Sequence, residues 1–248
     1  MPELAFFDCN CRIGRPGAPR PEHFTTAREL LAEMDYAGIE RALVCHAWAV
    51  EWSPQDGNEA LLAEIASEAR LHPCFVALPP ATCEMPPPDD FARRVRELRG
   101  AVRLFPREHQ YSLDGVTCGH LFDALSDHAV PALIDINQTT WTELAEVLAR
   151  HPALSVILLG VYYRIDRYAY PLLERFGNLR IESGTYAVHR GIEMVCRRFG
   201  ADRLVFGTDL PLHEAGGPIA MVTYASIGDR EKRQIAGDNL RAWLGEVS

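Results

Sequence analysis

Short apolar runs alternate with amphipathic stretches along almost the whole chain, and this alternation restricts the available folds more than any other feature. The runs are Leu4–Asp8, Arg41–His46, Cys74–Leu78, Ala101–Phe105, Ala132–Ile136, Ser155–Leu159, Leu179–Ile181 and Arg203–Phe206. Each has the length of a strand, and near-continuous apolar character marks strands covered on both faces of a parallel sheet. Between them apolar residues recur three and four positions apart, the spacing of one helix face. Such stretches run over Ala27–Tyr36, Glu59–Ala69, Phe91–Leu98, Leu121–His128 and Trp141–Ala149, then Tyr168–Phe176, His189–Phe199 and Arg230–Leu244. Strands joined by helix-length crossovers form parallel βα units, and eight such units close on themselves. The chain is therefore read as a single (β/α)8 TIM-type barrel, one α/β domain spanning residues 1–248, at the length of about 250 residues typical of that fold.

Proline placement agrees. Pro73, Pro131 and Pro152 precede strands while Pro79, Pro106 and Pro211 follow them, positions where a missing N–H removes no ladder bond. The Pro-dense segment from Pro79 to Pro88 reads as a rigid loop after the third strand.

A net charge of −9, with 25 Lys and Arg scattered rather than clustered, gives no basic footprint for nucleic acid. No apolar run approaches the roughly 20 residues of a membrane helix. The seven cysteines form an odd set without metal-finger spacing, which reads as free thiols in a reducing, cytoplasmic setting. A homo-oligomer is the usual expectation for an enzyme of this kind. Dinucleotide, nucleotide and serine-hydrolase fingerprints of the Gly-rich or Gly-x-Ser-x-Gly type are absent from the sequence.

In such a barrel chemistry collects in the loops after the strands, because those loops converge on one mouth. The residues to inspect there are Asp8, Asn10 and Arg12; His46, Trp48 and Glu51; Arg103; Asp135 and Asn137; Tyr162, Tyr163 and Arg164; Glu182, Tyr186 and His189; and Asp209 and His213. Asp209 ends the eighth strand in an apolar run, where a carboxylate can serve as general acid or base. Arg12 and Arg103 fall at strand positions that point to the barrel axis, where a guanidinium can clamp a carboxylate or neutralise internal acids. His46 precedes Trp48 and Trp52, so an imidazole and two large rings are expected at the mouth. Asp135 and Glu182 are expected to face the pocket, with His213 contributing from a loop. Alternation with Asp8, Asn10 and Arg12 places Cys9 and Cys11 outward, beneath the helices.

Several segments resemble the amidohydrolase superfamily, in particular its amidohydrolase-related branch of metal-dependent hydrolases, decarboxylases and lactonases. Phe6-Phe7-Asp8-Cys9-Asn10-Cys11-Arg12-Ile13-Gly14 is similar to the opening Asp-x-His-x-His strand, and Gly207-Thr208-Asp209-Leu210-Pro211 to the strand-8 motif. Ile235-Ala236-Gly237-Asp238-Asn239-Leu240-Arg241 resembles the closing helix. The same alignment puts Asn10 and Arg12 where two histidine ligands stand, Asp135 on the strand-5 histidine and Gly160 near the strand-6 histidine, leaving Asp209 with its residue type. A permanent cation at Arg12 opposes a metal there.

The resemblance thus implies a hydrolase or lyase of a small carboxylate-bearing molecule working without the usual metal centre and with no cofactor. Asp209 and His46 are the catalytic candidates, and Asn10, Arg12, Trp48, Arg103, Asp135, Glu182 and His213 the substrate-binding ones. Two alternatives stand beside it. One is a single divalent metal in a site rebuilt from Asp8, His46, Asp135, Glu182 or Asp209, where oxygen-rich ligation favours Mn or Mg. The other is a barrel that binds a small molecule without turnover.

Overall fold

The computed structural model describes residues 3–21 and 23–246. The expected domain of 1–248 takes in Met1, Pro2, Glu22, Val247 and Ser248, which lie outside the described residues. Eight parallel strands follow one another around the sheet in chain order: β1 Phe6–Ile13, β2 Ile39–His46, β3 Leu71–Val76, β4 Ala101–Leu104, β5 Ala132–Asp135, β6 Val156–Leu159, β7 Leu179–Glu182 and β8 Leu204–Val205. Cys9 N donates to Phe206 O at 3.0 Å and Arg12 N to Leu210 O at 2.8 Å, which joins the last strand to the first. The result is a (β/α)8 barrel.

The helices are α1 Ala27–Ala37, α2 Ala47–Glu51, α3 Pro54–Ile65, α4 Pro88–Glu97, α5 Gly119–Asp127, α6 Trp141–Arg150, α7 Asp166–Arg175, α8 Gly191–Phe199, α9 Gly216–Thr223, α10 Asp229–Arg233 and α11 Asn239–Trp243. Local chemistry explains several boundaries. Thr26 and Glu29 form a capping box at the start of α1, Thr140 and Glu143 at the start of α6, and Gly38 in the left-handed region ends α1. Buried carboxamides tie helices to strands. Asn58 of α3 exchanges bonds with both backbone groups of Val76, at 2.8 and 2.9 Å, and Asn239 donates to Ala201 O and Leu204 O at 2.9 and 2.8 Å. None of the described helices is long and apolar enough to cross a membrane, and all seven cysteines are free thiols.

Two apolar layers follow from the two faces of each strand. Ala42 and Val44, Val102 and Leu104, Ile134 and Leu158 pack outward against the helices. Leu43, Cys45, Val76, Leu133, Ile157 and Val205 fill the barrel interior, and Leu240 and Leu244 join them from α11 and the residue that follows it. Each buried Leu, Ile or Val side chain contributes about 1.5–3 kcal/mol.

β1 corrects one sequence expectation. Its pairing with β2 shifts register between Asp8 and Cys11, as a bulge does, so two consecutive residues share a face. Phe7 and Cys9 belong to the interior cluster whereas Phe6, Cys11 and Ile13 belong to the outer one. Cys11 faces the helices as expected, but Cys9 points into the barrel. The extra residue is what lets Asn10 and Arg12 turn toward the interior above Cys9.

Candidate active site

The C-terminal ends of the strands surround a cavity of about 480 Å³, within the usual span of ligand pockets. Arg12 of β1, Arg103 of β4, Asp135 of β5 and Asp209 after β8 border it, with Glu51, Trp52, Glu108 and His109 on the loop side.

Arg103 is the best-enclosed of these, 5% exposed. One of its terminal nitrogens donates to Asn10 Oδ1 at 2.6 Å, and its guanidinium carbon stands 5.0 Å from the Phe105 ring centroid, while its Nε is buried without a partner. Burial alone would lower its pKa; nearby Cys45, Asp209, Cys74 and Asp135 outweigh that and leave it raised. Arg12 goes the other way. Burial, then repulsion from Arg103, pulls it below the ordinary value despite Cys45, Asp209 and Glu51. Arg12 thus feels the charge of Arg103 in addition to its burial, a cost that an anion bound beside both offsets.

Asp209 adopts φ +61°, a left-handed conformation that Asp tolerates better than most residues, and it borders the cavity. His213 Nδ1 lies 3.1 Å from Asp209 Oδ2 and orients that carboxylate. Asp135 accepts from Asn137 N at 2.8 Å and from Asn137 Nδ2 at 2.9 Å, opening a short 3₁₀ turn. Gly160, at φ +68°, lets the β6 loop pass close to that carboxylate, where a Cβ would collide with Asp135 Oδ1.

Below this layer Glu182 is fully buried beside Cys9 and Gly207, its Oε1 without a partner and its Oε2 accepting from Thr185 Oγ1 at 3.4 Å. Burial, then Asp209 and Asp8, push its pKa to about 8, so it holds its proton at neutral pH. Asp8 lies at the seam between the first and last strands. It accepts from Asn10 N at 2.9 Å, Thr208 N at 3.1 Å and the Thr208 hydroxyl, and burial raises its pKa.

His46 and Trp48 stand back from the cavity. His46 Nδ1 accepts from Trp48 N at 3.2 Å to cap α2, its ring packs against Gly14, and burial lowers its pKa. Trp48 packs edge-on to His46 and lies parallel to Trp52, so the pair forms the outer wall with Trp52 nearer the cavity. The sequence reading does not single out Glu108, His109 or Gln138. All three lie past the C-terminal ends of β4 and β5, the signal that points to them, and His109 Nε2 donates to Val50 O at 2.7 Å across the mouth.

Among the described residues no group of three or more His, Cys, Asp or Glu side chains converges as metal ligands do. The five candidates for a rebuilt metal site are dispersed: Asp8 is engaged at the seam, His46 caps a helix, Glu182 is sealed below, and Asp135 and Asp209 share their cavity with two guanidinium groups.

The amidohydrolase family matches over residues 14–245, nearly the full chain. The chain belongs to the amidohydrolase family. No curated protein matches the sequence. Solved structures similar to this amidohydrolase include 5-carboxyvanillate decarboxylase from Sphingomonas paucimobilis, with TM-score 0.77 and 14% identity over 98% of this chain and 99% of that one. The 2,6-dihydroxybenzoate decarboxylase from Rhizobium follows at 0.74 and 17%, covering 98% and 99%. The 5-carboxyvanillate decarboxylase from Novosphingobium aromaticivorans, complexed with manganese and 4-hydroxy-3-methoxy-5-nitrobenzoic acid, gives 0.77 and 13%, covering 98% and 96%. At these identities the likeness is one of fold.

Proposed function

We propose that this amidohydrolase is a lyase acting on a small carboxylate-bearing molecule without a divalent metal, Arg12 and Arg103 holding the substrate anion and Asp209 moving the proton. The observation that carries the reading is that two guanidinium groups and the strand-8 carboxylate border one cavity. A guanidinium binds a carboxylate through two parallel N–H···O bonds, and Arg103 offers a buried nitrogen without a partner. An anion beside the arginines also offsets the repulsion from Arg103 that adds to burial in lowering Arg12. The decarboxylase neighbours, whose names denote carboxylate substrates, support lyase chemistry and an anionic ligand.

Loss of carbon dioxide leaves an electron pair on carbon that must take a proton, and Asp209, steered by His213, takes a proton from solvent and passes it on from the cavity wall. Asn10 positions Arg103, Asp135 closes the wall opposite, and Glu182 stays neutral beneath, which keeps two cations from facing a full set of ionised acids. His46 is a positioning residue for α2 and the Trp48 wall.

Manganese is bound in some solved neighbours. Here the donors do not suit a divalent cation: Asn10 Oδ1 is taken by Arg103, Gly160 supplies no side chain, and the carboxylates that line the cavity, Glu51, Glu108, Asp135 and Asp209, do not converge as ligands and share it with Arg12 and Arg103. Chelator-treated protein incubated with a panel of small carboxylates, with carbon dioxide release as the readout, tests the proposal. Turnover is expected to persist, and Asp209→Asn to lower it by about 10²-fold or more. Turnover that requires added manganese favours a rebuilt metal site, and absence of turnover in every condition favours a binding barrel.

A further inference from the structure

A second cavity of about 460 Å³ lies against the first. Arg12, Glu51 and Leu212 border both, so the two spaces meet at these three side chains. The outer chamber differs in character: Pro16, Ala18, Phe24, Ala47 and Pro211 give it more apolar wall than the inner one, beside the polar side chains of Arg20, His23 and His213, whereas charged groups dominate the inner one. Its shape is built into the fold. Glu51 Oε2 accepts from Gly17 N at 2.6 Å, which pins the loop after β1 across α2. Gly14, at φ +88°, turns that loop so closely over His46 that a Cβ would lie 2.5 Å from its Nε2.

A cavity of about 150 Å³ already holds a benzene ring. A molecule no larger than a short carboxylate would fill only the inner chamber and leave the outer apolar walls against water, and burying those walls against an apolar group is favourable. We infer that the substrate is an elongated carboxylate, its anionic head between Arg12 and Arg103 and an apolar body of ring size lying past Arg12 in the outer chamber, with a spacer at the neck. The inference rests on the anion-binding reading above and adds the second chamber to it. It separates such a molecule from a benzoate, whose carboxylate joins the ring without a spacer.

Calorimetric titration of the chelator-treated protein with propanoate, benzoate, 3-phenylpropanoate and 4-phenylbutanoate tests this. The longer phenyl acids are expected to bind at least about tenfold tighter than propanoate and tighter than benzoate. Ala18→Trp, with folding checked by thermal unfolding, fills the outer chamber and is expected to bring the 3-phenylpropanoate to propanoate ratio down toward one. Equal affinities across the wild-type series, or a ratio unchanged in Ala18→Trp, overturn the two-chamber inference while leaving the anion site in place. If none of the four acids binds, both readings fall.

Discussion

Arg103 donates to Asn10 Oδ1 at 2.6 Å, a bond that runs across the barrel from β4 to β1 and fixes the guanidinium that the proposed chemistry depends on. Both partners are buried, and Asn10 reaches that position because the bulge in β1 turns it inward. Asn10→Leu removes the acceptor and leaves a buried cation underpaired, which is expected to cost about 1.5–3 kcal/mol of stability. Chemical denaturation measures it. A change below about 0.5 kcal/mol would mean that Arg103 finds another acceptor and that Asn10 does not position it.

Glu182 makes stability depend on pH in an unusual direction. Its folded pKa of about 8 lies above the ordinary value of 4.5, so between these limits the folded state binds more protons than the unfolded one. Its contribution to stability is greatest below pH 4.5 and is lost as pH rises toward 8, by at most about 1.4 kcal/mol per unit. Asp8, also raised by burial, acts in the same direction. Glu182→Gln is neutral at every pH, so the variant is expected to melt higher than wild type at pH 8 and to match it more closely near pH 5. A variant less stable than wild type at pH 8 contradicts this account.

Gly14→Ala places a methyl group in the left-handed region and against the His46 ring. The backbone alone costs about 1–2 kcal/mol, and displacing a ring that caps α2 adds to it. A fall in melting temperature together with a change in tryptophan fluorescence is expected, because His46 packs on Trp48 at 5.3 Å between centroids.

Metal removal gives a further prediction. If two guanidinium groups occupy the space a cation would need, dialysis against a chelator leaves the melting temperature unchanged, and added manganese does not raise it. Stabilisation by manganese at stoichiometric concentration would show that Asp135 and Asp209 recruit an ion despite the arginines.

The fold was legible because its signals are local. Each of the eight apolar runs overlaps a strand, and Pro131 stands directly before β5 as expected; Pro73, expected to precede the third strand, instead lies within β3, which begins at Leu71 and pairs Pro73 with Val44. β1 was read short because Asp8, Asn10 and Arg12 interrupt its apolar pattern, yet the strand continues to Ile13. The inward turn of Cys9 was not legible, since a bulge depends on pairing with β2 and leaves the period of the isolated sequence unchanged. The short helix α2 lies in a segment that reads only as the loop after the second strand, and its cap is a histidine rather than one of the usual capping residues. His109 was missed for a related reason: its place at the mouth comes from a bond to Val50, fifty-nine positions away.

The central claim is that Arg12 and Arg103 together hold an anion, and calorimetric titration of 3-phenylpropanoate into chelator-treated wild type and Arg12→Met tests it most directly. The account predicts one site per chain in the wild type and a loss of about 2–5 kcal/mol in the variant, the scale for truncating one partner of a buried charge pair. Equal affinity in the two proteins, with the variant folded, would contradict it.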